Sequence, residues 1–174
     1  GSAIEIPLLL YILHLRATNF SHNRARMPAI DPTDPLTGLL TTPVLTLRVR
    51  DALRRNRRQK QTFALMLIEL ANHAEIVSTH GRSVGERALV VAASRLSANV
   101  SEHDTVCRVD ELRFAVLVES PVDANTIRLL AQQIVARGLS ETEFMPNQLP
   151  LRFRVVTALL PGANSSLIKD SLGC

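Results

Sequence analysis

The stretch "VCRVDELRFAVLVE", residues 106–119, contains two apolar, β-branched runs separated by a short polar insertion. Two such runs joined by a few polar residues are typical of a β-hairpin. The insertion includes Asp110, Glu111 and Arg113 and has no glycine. Because a two-residue type I′ turn needs residues that tolerate positive φ, we expect this turn to be wider than two residues.

The segments around this hairpin predict a sheet with helices packed on it. "FALMLIEL", residues 63–70, is continuously apolar, as expected for a central strand buried on both faces. A last strand is predicted near residues 151–160. Helical periodicity covers four segments, 43–60, 74–79, 84–98 and 127–135. The order α, β, α, α, β, β, α, β predicts an α+β fold with a mainly antiparallel sheet.

Composition indicates one folded domain with a short appendage. The chain has 174 residues, of which 46% are hydrophobic, and a net charge of +4. Its two cysteines, Cys107 and Cys174, suggest neither a disulfide framework nor a cysteine metal site, which fits a reducing compartment.

The basic residues concentrate in one helical segment, where seven of them lie between Arg48 and Lys60. Two interpretations remain open: a solvated helix face, or a patch for an anionic membrane surface or nucleic acid. No aromatic residue lies in this run to stack on bases, so we expect no nucleic-acid binding.

The N-terminal region, residues 1–30, is predicted to form a juxtamembrane or signalling helix. Gly1 and Ser2 resemble the remnant of a purification tag. Residues 3–15 are nearly all apolar, and Arg16, Arg24 and Arg26 follow. This pattern fits the cytoplasmic end of a transmembrane helix and equally a packed helix of a soluble protein. The turn-rich residues 27–43 mark the boundary to the main domain, taken as residues 31–174.

Several motifs together resemble the GGDEF domain of diguanylate cyclases. They are "DPLTGL" at 34–39, an apolar strand ending in Glu69, a helix with Gly81 and Gly85, and the strand "FAVLV". The resemblance runs over about residues 31–160. It implies a nucleotidyl-cyclase-like fold with five strands. It also implies condensation of two GTP molecules, one on each of two facing domains, to cyclic di-GMP with Mg²⁺ or Mn²⁺.

The sequence departs from this family at the signature itself. The Gly-Gly-Asp-Glu-Phe positions are occupied by Asp110, Glu111, Leu112, Arg113 and Phe114, so only the phenylalanine is kept. The resemblance places Leu112 where the family has the carboxylate that holds metal and assists proton removal. Asp110 and Glu111 bring negative charge where polyphosphate would lie.

Other family positions are altered too. Glu69 stands at the first metal position, one methylene longer than the family's Asp, and Ala71 replaces the second. At the phosphate-binding positions His73 and Ala74 replace Phe and Lys. At the guanine-reading positions Val77 replaces Asn and Glu86 replaces Asp, beside the retained Gly85. We regard Glu69, Val77, Gly85 and Glu86 as vestigial.

The family's inhibitory Arg-x-x-Asp site reads "SEHD" here. Asp104 is kept, but Ser101 replaces the arginine whose fork grips phosphate. Binding of cyclic di-GMP is therefore not expected. The end of the chain, "LPGANSSLIKDSLGC", also falls short of the family's closing helix.

These features predict a non-catalytic GGDEF domain acting as a signalling or protein-interaction module, on the cytoplasmic side of the bacterial inner membrane. We expect it to be tethered by its N-terminal segment, to self-associate or bind a protein partner, and to need no cofactor. The alternatives are a weakly active cyclase or GTP-binding regulator that uses Mg²⁺, and an anionic-surface binder that uses residues 48–60.

Overall fold

The computed structural model describes residues 31–59, 61–141 and 144–160. In chain order the elements are β1 (Leu40–Thr41), α1 (Thr42–Gln59), β2 (Phe63–Leu70), α2 (His73–His80), α3 (Arg82–Ala98), β3 (Thr105–Arg108), β4 (Arg113–Val118), α4 (Ala124–Leu139), one turn of 3₁₀ helix (Pro146–Gln148) and β5 (Phe153–Leu160). The predicted helix within residues 1–30 and the C-terminal tail lie outside the described residues. Among the helices that are described, none is both long and apolar enough to cross a bilayer.

The five strands form one sheet in the order β1-β3-β4-β2-β5. β1 runs parallel to β3, and every other neighbouring pair is antiparallel. The predicted α+β fold with a mainly antiparallel sheet is therefore confirmed. Residue patterning did not show β1, because two residues are too few to display a period.

Strand β2 is buried on both faces, which explains its unbroken apolar sequence. Side chains of the even-numbered residues 64–70 pack into a core with α2, α3 and α4. Those of Phe63, Leu65 and Leu67 point to the other face, where they meet Leu45 and Val49 of α1. Each fully buried leucine or isoleucine contributes about 1.5–3 kcal/mol. Helices on both sides thus fix the end of β2 where Glu69 lies.

The hairpin turn between β3 and β4 is wider than two residues, as predicted. Arg108 pairs with Phe114, and the Val109 N–H donates to the Arg113 carbonyl at 2.8 Å. Within residues 109–112, all of them described, no backbone φ is positive. The Asp110 carboxylate accepts from the backbone N–H groups of Leu112 at 3.0 Å and Arg113 at 2.9 Å. An aspartate side chain thus supports a turn that has no glycine.

Arg108 fastens this turn to the loop that carries Asp34. Its guanidinium donates to both Asp34 carboxylate oxygens at 3.0 and 3.1 Å. It also donates to the carbonyls of Asp110 at 3.2 Å and Glu111 at 3.0 Å. Only 14% of the Arg108 side chain and 18% of the Asp34 side chain are exposed, so water screens the pair weakly.

The loop itself is organised by the same aspartate. Asp34 accepts from the Thr37 backbone N–H at 2.8 Å and its hydroxyl at 2.7 Å, and Gly38 takes a positive φ of 71°. Burial would raise the pKa of the Asp34 carboxyl, but the hydrogen bonds from Thr37 and Arg108 outweigh it and hold the pKa below 3.8. The "DPLTGL" motif thus holds the hairpin turn in position through Asp34.

Replacing Asp34 with asparagine removes the charge that these donors bind. We expect the free energy of unfolding at neutral pH to fall by about 1–3 kcal/mol. Because folding lowers this pKa, the stabilisation is present above the unfolded-state pKa and is lost as the pH falls through the folded-state pKa. Urea unfolding from about pH 7 to about pH 3 should therefore show the wild type and Asp34→Asn converging in acid.

Asp51→Asn is the control, because Asp51 belongs to an exposed ion pair with Arg54 and should affect stability little. A difference between wild type and Asp34→Asn that stayed constant with pH would contradict the role given to the Asp34 charge.

Candidate nucleotide site

An open cleft of about 440 Å³ lies where β2 ends beside the hairpin turn. Its lining consists of Glu69, Asp110, Glu111, Leu112 and Arg113. The structure therefore brings together four of the five signature positions and the first predicted metal position. Phe114 is fully buried in the core. The one conserved signature residue therefore packs the sheet and does not line the cleft.

The Glu69 carboxylate faces an arginine from the neighbouring strand. Glu69 pairs in register with Arg113 of β4 on one side and with Arg154 of β5 on the other. The Arg154 guanidinium donates to the Glu69 carboxylate at 3.1 Å. Sequence reasoning missed Arg154, since only the strand register places it beside a residue 85 positions away.

Arg113 forms a second ion pair inside the cleft. Its Nε donates to the Asp110 carboxylate at 2.6 Å, and both side chains are partly exposed. Asp110 and Glu111 thus both bring a negative charge to this turn. The Asp110 charge is paired with Arg113, whereas the Glu111 side chain has no partner among the described residues.

The cleft does not fit a divalent metal ion. Mg²⁺ needs oxygen ligands in near-ideal octahedral geometry. Leu112 offers no ligand, and the carboxylates of Glu69 and Asp110 are bound to arginines. Across residues 31–59, 61–141 and 144–160, no group of three or more His, Cys, Asp or Glu side chains is placed to hold a metal ion.

The predicted guanine-reading residues lie apart from this lining, on α2 and α3. A Cβ built on Gly85 would come within 2.5 Å of the Val77 side chain and 3.1 Å of His73. Gly85 lies inside α3, where it allows the two helices to pack closely. Glu86 accepts from Arg82 of the same helix at 3.0 Å. Val77 thus fills space against Gly85, and its side chain has no polar atom to read a base.

The inhibitory-site remnant lies at the opposite end of the hairpin from the turn. One Asp104 carboxylate oxygen accepts from the Ser101 backbone N–H and the other from the Glu119 N–H, both at 3.1 Å. Asp104 thereby joins the loop before β3 to the end of β4. Asp104 therefore has a structural role in this fold.

Asn72 is a further residue that sequence reasoning missed. It is 8% exposed. Its side chain donates to the Pro150 carbonyl at 3.0 Å and accepts from the Arg152 N–H at 2.9 Å. These bonds fix the segment before β5 against the end of β2. A single polar residue in a turn gives no periodic signal, so no pattern could have identified it.

Comparison with known proteins identifies the family of this chain. Residues 32–170 match the family described as "Diguanylate cyclase, GGDEF domain". The bifunctional diguanylate cyclase/cyclic di-GMP phosphodiesterase MucR of Pseudomonas aeruginosa is 26% identical over 171 residues, which cover 92% of this chain and 24% of that protein. The probable diguanylate cyclase DgcC of Escherichia coli is 23% identical, over 89% of this chain and 41% of its own length. The chain thus spans about a quarter to two fifths of these relatives.

Solved structures show the same fold. The GGDEF domain of TpbB, also called YfiN, from Pseudomonas aeruginosa has a TM-score of 0.67 and 26% identity, covering 74% of this chain and 76% of that one. A sensory box/GGDEF family protein from Caulobacter crescentus has a TM-score of 0.69 and 23% identity, covering 82% and 94%. From the family match and the five-stranded sheet, we conclude that this chain belongs to the GGDEF domain family of diguanylate cyclases.

Proposed function

We propose that this domain is a non-catalytic member of its family and serves as a signalling or protein-interaction module in a bacterial pathway related to cyclic di-GMP. The observation that carries the proposal is the pair of arginines in the cleft. Arg113 stands where the resemblance expects an acid, and it binds Asp110, while Arg154 binds Glu69. Glu69, at the position where the resemblance expects a metal ligand, is thus already paired with an arginine of the protein.

The expected loss of rate supports the same conclusion. Removing one group that stabilises the transition state commonly costs about 100- to 1000-fold. Here Leu112 lacks the carboxylate that would hold metal and take a proton, and Val77 lacks the polar group that would read guanine. Several such losses together leave no rate that a standard assay would detect.

The rest of the domain retains what folding needs. The Asp34–Arg108 pair, buried Phe114 and the tight packing at Gly85 all preserve the shape of the family fold. A domain that keeps its shape without its chemistry can still present a surface to a protein partner or to a second copy of itself.

We further propose that the N-terminal segment tethers the domain to the cytoplasmic face of the bacterial inner membrane. The support is the apolar run of residues 3–15 followed by Arg16, Arg24 and Arg26. Arginines just beyond an apolar segment are typical of the cytoplasmic side.

Purified protein incubated with GTP and either Mg²⁺ or Mn²⁺ should form no cyclic di-GMP, as measured by chromatography of the nucleotides. A diguanylate cyclase with an intact signature is the positive control for the same buffer. Product that formed with the wild type and disappeared with Glu69→Gln would instead establish a weakly active cyclase that uses the remaining acid.

Calorimetric titration should also detect no binding of cyclic di-GMP. Ser101 supplies no guanidinium fork, and both oxygens of Asp104 accept backbone hydrogen bonds within the fold. Binding in the micromolar range that was lost in Asp104→Asn would show that the inhibitory site works without its arginine.

A further inference from the structure

Helix α1 carries a row of arginines on the side that faces away from the sheet. At about 100° per residue, Arg50, Arg54, Arg57 and Arg58 project opposite to the buried Leu45, Val49 and Ala52. We call these four residues the arginine face. Arg54, Arg57 and Arg58 are exposed, and Arg50 is half-buried.

Most of the charge on this face has no partner in the part of the chain that the structure describes. Arg48 and Arg55 lie on the flank of α1 and pair with Glu119, whose side chain is only 16% exposed. Arg54 has a single, exposed partner in Asp51 at 3.4 Å. For Arg50, Arg57 and Arg58 there is no carboxylate partner among the described residues. Two arginines of α1 thus form ion pairs within the fold, and four face outward.

Two features of the face indicate what it binds. Leu47 lies among these arginines and is 56% exposed, so the face combines cationic groups with an apolar one. No aromatic residue occurs in α1, which removes the groups that would stack on nucleobases. Guanidinium groups around an apolar side chain match the interface of a bilayer with anionic headgroups.

In the sequence, α1 follows the segment that we propose as a membrane tether. The apolar residues 3–15 and the arginines at 16, 24 and 26 precede α1 in the same chain. Fewer than 20 residues separate Arg26 from Thr42, where α1 begins. A bilayer contacted by the N-terminal segment would therefore be within reach of α1.

We infer that the arginine face docks on the surface of an anionic lipid bilayer, with the guanidinium groups on the headgroups and Leu47 at their apolar boundary. The inference goes beyond the proposed function: it rests in part on the proposed N-terminal tether and not on whether the domain is catalytic. It fixes the orientation of the domain, because α1 packs on one face of the sheet and α3 and α4 on the other. Helices α3 and α4 would then face away from the bilayer.

The test compares vesicle binding by the full wild-type chain with binding by a triple variant. In this variant Arg50, Arg57 and Arg58 are replaced together by glutamine. The vesicles contain phosphatidylcholine alone or with about one-third phosphatidylserine. Each arginine near an anionic surface contributes roughly a fivefold gain in partitioning, so the triple variant should bind the anionic vesicles about 100-fold less at low salt. Binding to the neutral vesicles should not change, because the N-terminal segment is intact.

The matched control replaces Arg87, Arg128 and Arg137 with glutamine. These residues lie on α3 and α4, and the change removes the same net charge. It should bind anionic vesicles within about threefold of the wild type. Equal losses in the two triple variants would overturn the inference, since net charge alone would explain them. Unchanged binding of the first variant to anionic vesicles would also overturn the inference. This holds even if that variant loses binding to duplex DNA or to polyglutamate.

Discussion

The guanidinium of Arg108 holds the hairpin turn to the loop that carries Asp34 and Thr37. This one side chain donates four hydrogen bonds, two to the Asp34 carboxylate and two to the carbonyls of the turn. Because the group is mostly buried, leaving its charge unpaired would be costly. Arg108 therefore fixes the relative positions of the turn, the loop before α1 and the first residues of the sheet. It does so whichever residues occupy the tip of the turn.

This constraint explains how the tip can change while the fold does not. A glycine-free sequence at residues 110–112 is accommodated because the Asp110 side chain accepts the backbone N–H groups that follow it. The same aspartate binds Arg113, and Arg154 binds Glu69 across the strands. Arginine side chains thus pair with two of the three carboxylates at the cleft, and the Glu111 side chain has no partner among the described residues.

Much of the fold could be predicted from the sequence, because its signals are local. The unbroken apolar run at 63–70 and the two runs of the hairpin each indicate their strand directly, and the width of the turn followed from the missing glycines. Strand β1 could not be found by patterning, since its two residues are strand only through pairing with Cys107 and Arg108.

The site was harder to predict because its contacts join distant residues. Motif spacing identified Glu69 and residues 110–113, but not the partners that neutralise them. The pairing of Glu69 with Arg154 depends on the register between β2 and β5. The bonds of Asn72 depend on where the segment before β5 passes. Side chains far apart in the sequence leave no local pattern, so only the folded structure shows that the Glu69 carboxylate is paired with Arg154.

The proposed non-catalytic role requires a cleft that does not bind a metal-bound nucleotide. Measuring the melting temperature of the purified protein with and without millimolar GTP and Mg²⁺ tests this requirement. A ligand that binds only the folded state must raise the melting temperature. We expect no change in the melting temperature. A rise that required both GTP and Mg²⁺ and was abolished by Glu69→Gln would contradict it.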